Sequence, residues 1–285
     1  MKRLINGRRR TPGKRLRRLR MGLQTVLGLR PQGFFAPYRY AGTVVPPAGY
    51  PELEPVFAGA DLEGTLALIE AAAKPLADLD GPPPEPRWRQ SWFPRLDAAA
   101  AYALVLQARP RRIIEVGAGH TTRFLARAAH DAGAETGMTC IDPAPRALCA
   151  GLPIDWRREV LSPAHLPLFA ALGAGDIAFF DSSHLLWPGT DVDMILNRIL
   201  PSLAPGVLVH VHDVFLPDAY PEDWSWRGYT EQLGLGGYLT NPDWKIVWAS
   251  HYAVTRIGAA ERPGIKELSM PAGARESSLW LARQG

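Results

Sequence analysis

The sequence predicts an α/β fold in which helices cover both faces of a mostly parallel, Rossmann-like sheet of seven strands. Beyond residue 86, short β-rich runs alternate with helical stretches, a pattern typical of parallel strands joined by covering helices. Glycine-rich or acidic turns follow several of these runs, at the strand ends where α/β sheets bind ligands. Of the 285 residues, 47% are hydrophobic, which allows a large core and excludes a wholly disordered protein.

The elements follow in order from local composition and periodicity. Seven runs are predicted to be strands: Arg112–Val116, Gly137–Ile141, Ile154–Val160, Asp176–Phe180, Gly206–Val211, Trp244–Ser250 and Ser277–Ala282. Helices are predicted at Ala58–Leu79, Thr121–Ala132, Pro145–Ala150, His165–Leu172 and Asp191–Leu203. No convincing helix separates the last two strands, so we expect an antiparallel pair at the end of the sheet.

Basic charge is concentrated at the N-terminus. The chain has a net charge of +4, but residues 1–20 hold ten Lys and Arg and no acid, which leaves the remainder at −6. Apolar residues at 16, 19, 23, 26 and 27 recur at helical spacing with arginines opposite. Such a helix would lie on an anionic membrane or a partner, pack on the body, or stay solvated. We divide the chain into a basic amphipathic tail (1–30), a connector with a helix (31–86) and a main domain (87–285).

The cysteines and the hydropathy bear on localisation. Cys140 and Cys149 have neither metal-ligand nor disulfide-framework spacing, which predicts a reducing, cytoplasmic compartment, with the tail as a potential contact to the inner face of the membrane. Met21–Leu29 is too short to span a membrane and leads to no signal-peptide cleavage site. Because the positive charge lies in the tail, we expect no nucleic-acid partner; the oligomeric state is left open.

A glycine turn follows the first strand. Gly117–Gly119 allows a tight turn that brings backbone N–H groups against a ligand, and the helix that begins at Thr121 favours a negative group there. The third glycine of a dinucleotide fingerprint is missing, and Glu115 precedes the turn, so a ligand with an ammonium and a carboxylate fits better than a pyrophosphate. Asp142 ends the next strand, where a carboxylate can bind both hydroxyls of a ribose. The alternative is a plain tight turn with a helix-capping Asp142.

Four motifs resemble those of class I S-adenosylmethionine-dependent methyltransferases, more narrowly a bacterial branch with DSSH and HDVFLP turns. They are EVGAGHTT at 115–122, IDP at 141–143, DSSH at 181–184 and HDVFLP at 212–217. The resemblance covers roughly residues 90–285 and implies strand order 3-2-1-4-5-7-6, with S-adenosylmethionine above strands one, two and four. The cofactor-binding residues implied are Glu115, Gly117, Ala118, Gly119, Thr121, Asp142 and Asp181.

Candidate catalytic residues follow strands four and five: Asp181, His184, His212 and Asp213. An alcohol needs a base or a metal to accept a methyl group, whereas an amine needs only to be unprotonated. Metal-dependent O-methyltransferases of the wider fold place their ligands at the positions of Asp181, His212 and Asp213, which implies Mg²⁺ or Mn²⁺, although His is unusual for Mg²⁺. The metal-free alternative makes His184 or His212 a general base, oriented by an Asp and acting on O or N. His210, one step deeper, is predicted to be a core histidine.

The substrate side is predicted from aromatic residues. Seven lie between strands five and six: Phe215, Tyr220, Trp224, Trp226, Tyr229, Tyr238 and Trp244. Such rings suit sugar faces or planar acceptors. Before the first helix of the main domain, Trp88, Trp92, Phe93 and Arg95 would close the same pocket, and Arg95 or Asp97 would contact the cofactor.

Relatives in this branch methylate sugars, glycosylated natural products and glycans, which implies a hydroxyl on such an acceptor. Two other classes stay open. A nicotinamide oxidoreductase would need a third turn glycine and a proton relay that the sequence does not offer. A non-catalytic scaffold would bind a membrane or a nucleic acid through the basic tail.

Overall fold

The computed structural model describes residues 12–34 and 36–285, which divide between two compact units, residues 1–46 and 47–285. In the first unit, helix α1 spans Pro12–Val26. It ends in a Schellman turn, in which Gly28 N donates to Thr25 O and Leu29 N to Gln24 O, with Gly28 at a φ of +67°. Glycine is favoured there because the left-handed conformation costs it nothing. The part of the predicted tail before residue 12 lies outside the described residues.

The second unit contains a sheet of seven strands, as predicted. They are β1 Arg112–Val116, β2 Gly137–Ile141, β3 Asp155–Arg157, β4 Ile177–Phe180, β5 Leu208–Val211, β6 Trp244–Ala249 and β7 Leu279–Arg283. The sheet order is β3-β2-β1-β4-β5-β7-β6, which confirms the predicted topology. The first five strands are parallel, and β7 pairs antiparallel with both β5 and β6.

Nine helices accompany these strands within residues 47–285. They are α2 Glu54–Ala58, α3 Leu62–Ala71, α4 Ala73–Ala77, α5 Arg95–Ala108, α6 His120–Asp131, α7 Leu166–Ala170, α8 Asp191–Met194, α9 Gly236–Leu239 and α10 Ser250–Arg256. The predicted helix over 58–79 is divided into α3 and α4, and α2 ends at its first residue, Ala58. Asp61 starts α3 by accepting a hydrogen bond from Gly64 N at 3.0 Å, so the helix begins later than predicted.

Three predicted elements were wrong. Residues 145–150 form bends instead of a helix, and Arg123 Nε and Nη2 both bind Leu148 O, which draws that carbonyl away from helical pairing. The helix that begins at Asp191 changes after Met194 into a π-helical segment, Ile195–Ile199, followed by a 3₁₀ turn. Pro201 lacks an N–H for regular pairing there. A helix, α10, does separate β6 from β7.

Parallel register places the functional turns at one edge. Val116 pairs with Ile141 on β2 and with Phe180 on β4, and Phe180 pairs with Val211 on β5. Each of these strands therefore ends at the same level, and the residues that follow emerge side by side. Helix α5 packs against α6 on one face of the sheet, where Phe93 contacts both Phe124 and Phe179.

Within residues 12–34 and 36–285, we find no helix with the length and apolar character needed to cross a bilayer.

Candidate active site

Glycine at position 117 is required by the close approach of two strand ends. Its φ is +89°, and a Cβ there would lie 1.8 Å from the backbone oxygen of Asp181. Gly117 N donates to Ile141 O at 3.0 Å, and Asp181 N donates to Val116 O at 2.9 Å. The turn therefore connects the ends of β1, β2 and β4 and leaves a shallow cradle that any larger residue would fill.

Glu115 lies fully buried beneath this turn. Its carboxylate accepts hydrogen bonds from Thr121 Oγ1, from Thr122 Oγ1 at 2.7 Å and from Cys140 Sγ at 3.1 Å. Burial raises the pKa of Glu115 to about 7. Both oxygens thus hold the turn in shape, and direct contact of Glu115 with a bound ammonium stays a prediction.

Asp142 joins the turn to the end of β2. Its Oδ2 accepts a hydrogen bond from Ala118 N at 2.8 Å, and its Oδ1 accepts one from Ala144 N at 2.7 Å. A carboxylate oxygen can accept more than one hydrogen bond. Half-buried Asp142 therefore keeps acceptor capacity on both oxygens, which suits the two hydroxyls of a ribose.

Three buried side-chain nitrogens near the start of α6 lack a hydrogen-bond partner among the described residues. They are Arg87 Nε, His120 Nδ1 and Arg123 Nη1. Burial, together with the positive charges of Arg123 and Arg87, lowers the pKa of His120 to about 4. This positive region beside a helix N-terminus suits an anionic group. Together with the cradle at Gly117 and the carboxylate of Asp142, it fits a ligand that joins a ribose to an amino acid.

The four predicted catalytic side chains converge at the ends of β4 and β5. His184 Nε2 lies 3.2 Å from Asp181 Oδ1 and 3.5 Å from Asp213 Oδ2. His212 Nδ1 lies 3.5 Å from Asp181 Oδ1 and 3.7 Å from Asp213 Oδ1. Both imidazoles contact the Oδ1 atom of Asp181, and Asp181 is the most exposed side chain of the four, at 22%. We call these four residues the acid–imidazole cluster.

Each of the two histidines also contacts a further buried acid, through the ring nitrogen that does not face Asp181. Glu231 Oε2 lies 2.8 Å from His184 Nδ1, and Asp97 Oδ2 lies 3.3 Å from His212 Nε2. Asp97 also accepts hydrogen bonds from the backbone N–H groups of Ser277 and Ser278. Each imidazole is therefore held at both nitrogens, which fixes the orientation of its ring.

The contacts determine how the cluster is protonated. Burial alone would lower the pKa of His184, but its contacts with Asp181 and Glu231 raise that pKa well above its ordinary value. Burial likewise opposes a charge on His212, yet Asp213 and Asp181 raise its pKa well above the usual range. Burial would raise the pKa of Asp181, and the two neighbouring imidazoles hold it well below its ordinary value. Both histidines are thus charged at neutral pH, beside an ionised Asp181.

Backbone strain is concentrated in the same cluster. His184 has a φ of +59° and Asp213 a φ of +56°, in the left-handed region that non-glycine residues rarely adopt. Thr230 N and Glu231 N donate to His184 O, and Ser277 Oγ donates to Asp213 Oδ1. Strained residues that their neighbours hold in place are typical of functional sites.

The predicted metal ligands come together but do not fit a metal site. No group of three or more His, Cys, Asp or Glu in the described part of the chain is arranged to hold an ion. Both nitrogens of His212 face carboxylates: Nδ1 faces Asp181 and Asp213, and Nε2 faces Asp97. His184 Nε2 already lies between Asp181 and Asp213, where an ion bound to both carboxylates would sit.

The aromatic segment after β5 contributes to the site in part. Tyr229 packs on His184 with ring centroids 4.5 Å apart, and it contacts Trp224 edge-on at 6.1 Å. Arg227 lies 4.0 Å from the ring of Trp224, and its Nη1 donates to Tyr229 Oη at 2.8 Å and lies 3.9 Å from Asp213 Oδ2. We call residues 220–231 the aromatic lid. Tyr238 and Trp244, by contrast, pack on each other at 5.6 Å, and Trp244 is the first residue of the edge strand β6.

Several residues differ in role from the sequence-based expectation. Arg95 forms a bidentate pair with Glu276 at 2.8 and 3.1 Å, and Asp97 orients His212. His210, in contrast, is buried in the core as predicted, stacked on Phe179 with its Nε2 2.8 Å from Ser278 Oγ.

Sequence reasoning missed the contribution of Glu231, Ser277 and Arg227. Glu231 lies 47 positions after His184 in an aperiodic segment, so no local spacing relates the two. Of these three residues, only Arg227 had a signal in the sequence, which was the high density of aromatic residues around it.

The chain is similar to known proteins in sequence over part of its length and in overall structure. Residues 114–214 match a family model described as a methyltransferase domain. In overall structure the chain is similar to an SAH-bound methyltransferase of Podospora anserina, at 14% identity and a TM-score of 0.40, covering 89% of this chain and 100% of that one. It is also similar to an O-methyltransferase of Bacillus cereus in complex with SAH, at 16% identity and a TM-score of 0.41, covering 78% and 91%. No curated protein matches the chain in sequence.

Proposed function

We propose that this chain is a class I S-adenosylmethionine-dependent methyltransferase with a hydroxyl oxygen as its acceptor. The match of residues 114–214 to a methyltransferase domain and the strand order support the proposed class. The observation that carries the proposal is the acid–imidazole cluster, because a hydroxyl group must lose its proton on methylation and an unprotonated amine needs no such help. The nicotinamide and scaffold alternatives have no comparable support.

The cofactor supplies a methyl group on a sulfonium centre. We assign its ribose to Asp142 and its carboxylate to the positive region formed by Arg87 and Arg123, beside the neutral imidazole of His120. The backbone of Gly117–Gly119 is the part of the chain that approaches the cofactor most closely.

Asp181 is the residue that we expect to meet the acceptor. Its Oδ1 is occupied by the two imidazoles, and its more exposed carboxylate leaves Oδ2 to accept a hydrogen bond from the acceptor hydroxyl. That contact orients a lone pair of the oxygen for in-line attack. Because His184 and His212 hold Asp181 ionised, it stays an acceptor throughout the working pH range. As the acceptor oxygen gains its methyl group, the hydroxyl proton moves to Asp181 Oδ2. His184 can then release its Nδ1 proton to Glu231, whose pKa burial raises.

The aromatic lid indicates the class of acceptor. Tyr229 packs on His184 and Arg227 lies 3.9 Å from Asp213. Trp224 contacts both Tyr229 and Arg227. Flat rings beside hydrogen-bonding groups suit the face of a sugar or a planar natural product. We therefore propose a small molecule or glycan that presents a hydroxyl group next to a ring. No metal step is part of the mechanism, because the predicted ligands do not fit an ion.

Asp181→Asn tests this mechanism against its matched control Asp155→Asn, at an exposed position on β3. With a panel of glycosides and phenols as acceptors, we expect Asp181→Asn to lower kcat at least about a hundredfold, while its affinity for S-adenosylhomocysteine changes little. Asp155→Asn should behave as wild type. Methylation of amines but not hydroxyls by the wild-type protein would overturn the oxygen assignment, and equal turnover by the two variants would overturn the role of Asp181.

A further inference from the structure

We propose that helix α1 binds an anionic lipid surface, with its apolar stripe inserted among the lipids and its arginines at the headgroups. This interaction is independent of the methyl-transfer chemistry, and it gives the N-terminal unit a function of its own.

The apolar stripe consists of Leu16, Leu19, Leu23 and Val26. Their spacing of three and four residues places them along one side of α1. All four side chains are at least half exposed, from 50% for Leu23 to 69% for Leu16. An uncovered stripe of this size is costly in water and is typical of a surface that binds an apolar partner.

The helix end extends the same surface. The Schellman turn at Gly28 ends α1 cleanly, with Leu27 N donating to Leu23 O at 3.0 Å. Such turns usually bury the residue two positions beyond the helix against the last turn. Here Leu27 and Leu29 remain 65% and 73% exposed. The turn therefore adds two leucines to the apolar surface instead of covering it.

Charge selects an anionic partner. Twelve Lys and Arg and no Asp or Glu precede Glu52 in the sequence. On α1, Arg17 and Arg18 point away from the apolar stripe and Arg20 flanks it, and all three are exposed. Long arginine side chains beside an apolar stripe can reach headgroup phosphates while the leucines insert. A nucleic acid would satisfy the arginines but leave the leucines in water, so a lipid surface uses both faces of the helix.

The test is co-flotation of the full-length chain with vesicles. We expect binding to phosphatidylcholine vesicles that contain phosphatidylglycerol, weak binding to phosphatidylcholine alone, and release as salt is raised. Leu19→Gln/Leu23→Gln keeps charge and helix propensity and should lower partitioning at least about tenfold. Arg17→Gln/Arg18→Gln should lower it roughly 25-fold, since each basic residue near the surface contributes about 1 kcal/mol.

A matched control is Val44→Gln/Val45→Gln, which removes two exposed apolar side chains outside α1. It should bind vesicles as wild type does. Equal binding to both vesicle compositions, unchanged binding of the leucine variant, or a loss in the valine control as large as in the leucine variant would each overturn the proposal. Failure to bind either vesicle, with retention on a nucleic-acid column, would overturn it in favour of a nucleic acid.

Discussion

Replacing Gly117 with Ala tests whether the contact between β1 and β4 forms the cofactor cradle. The new Cβ would lie 1.8 Å from Asp181 O, about half the 3.4 Å at which ordinary contact begins. The neighbour is a backbone carbonyl, so rotation of a side chain cannot relieve the overlap. Either the glycine turn or the end of β4 must therefore move by more than 1 Å.

Gly133→Ala separates this overlap from the cost of conformation alone. Gly133 has a φ of +60°, but no atom lies within 4 Å of its Cβ position. An alanine in this left-handed conformation costs about 1 kcal/mol, which corresponds to about 3 °C in Tm for a domain of this size. At Gly117, the overlap with the backbone adds to this cost and brings the expected loss of stability to about 3 kcal/mol. This corresponds to a fall in Tm of about 9 °C.

The two variants are compared by thermal unfolding and by calorimetric titration with S-adenosylhomocysteine. We expect Gly133→Ala to bind the ligand as wild type does. Gly117→Ala should bind it at least about tenfold more weakly, because Ala118 N and Asp181 no longer hold their relative positions. Equal melting of the two variants, or unchanged binding by Gly117→Ala, would refute the reasoning.

Three other variants test the remaining assignments. Glu115 has its pKa raised to about 7 by burial, so its stabilising effect is complete below pH 4.5 and is lost as pH rises through 7. In urea unfolding, the free energy of unfolding of the wild type should fall by about 3 kcal/mol relative to that of Glu115→Gln as pH rises through this range. A difference in unfolding free energy that does not change with pH would contradict this. Asp142→Ala should weaken S-adenosylhomocysteine binding about a hundredfold by calorimetry, and unchanged affinity would exclude the ribose contact. Glu231→Gln should lower kcat at least about tenfold without changing that affinity, whereas exposed Glu222→Gln should change neither; equal kcat in both would exclude a role for Glu231.

Most of the sheet could be predicted from local sequence because buried parallel strands are continuous apolar runs. Arg112–Val116 and Gly137–Ile141 have the bounds that their composition predicts. Helix ends were less predictable, since they depend on tertiary partners. Arg123, for example, binds the carbonyl of Leu148 and prevents the helix that residues 145–150 otherwise favour.

Motif spacing placed Asp181, His184, His212 and Asp213 at one edge, because parallel strands all end on the same side of a sheet. What each residue does there depends on groups far away in the chain. Asp97 and Glu231 lie 115 and 47 positions from the histidines that they contact, and no periodicity relates positions so far apart.

The sequence by itself determined the glycine turn and the polar strand ends, since both follow from short-range pattern and parallel topology, whereas the strand order was implied by the resemblance of the motifs to a known family. Only the tertiary structure decided the charges in the site. Against the effect of burial, the carboxylates around each imidazole raise the pKa values of His184 and His212 well above their ordinary range, and His184 Nε2 lies between Asp181 and Asp213. A protonation state depends on everything packed around a group, and that packing exists only in the folded chain.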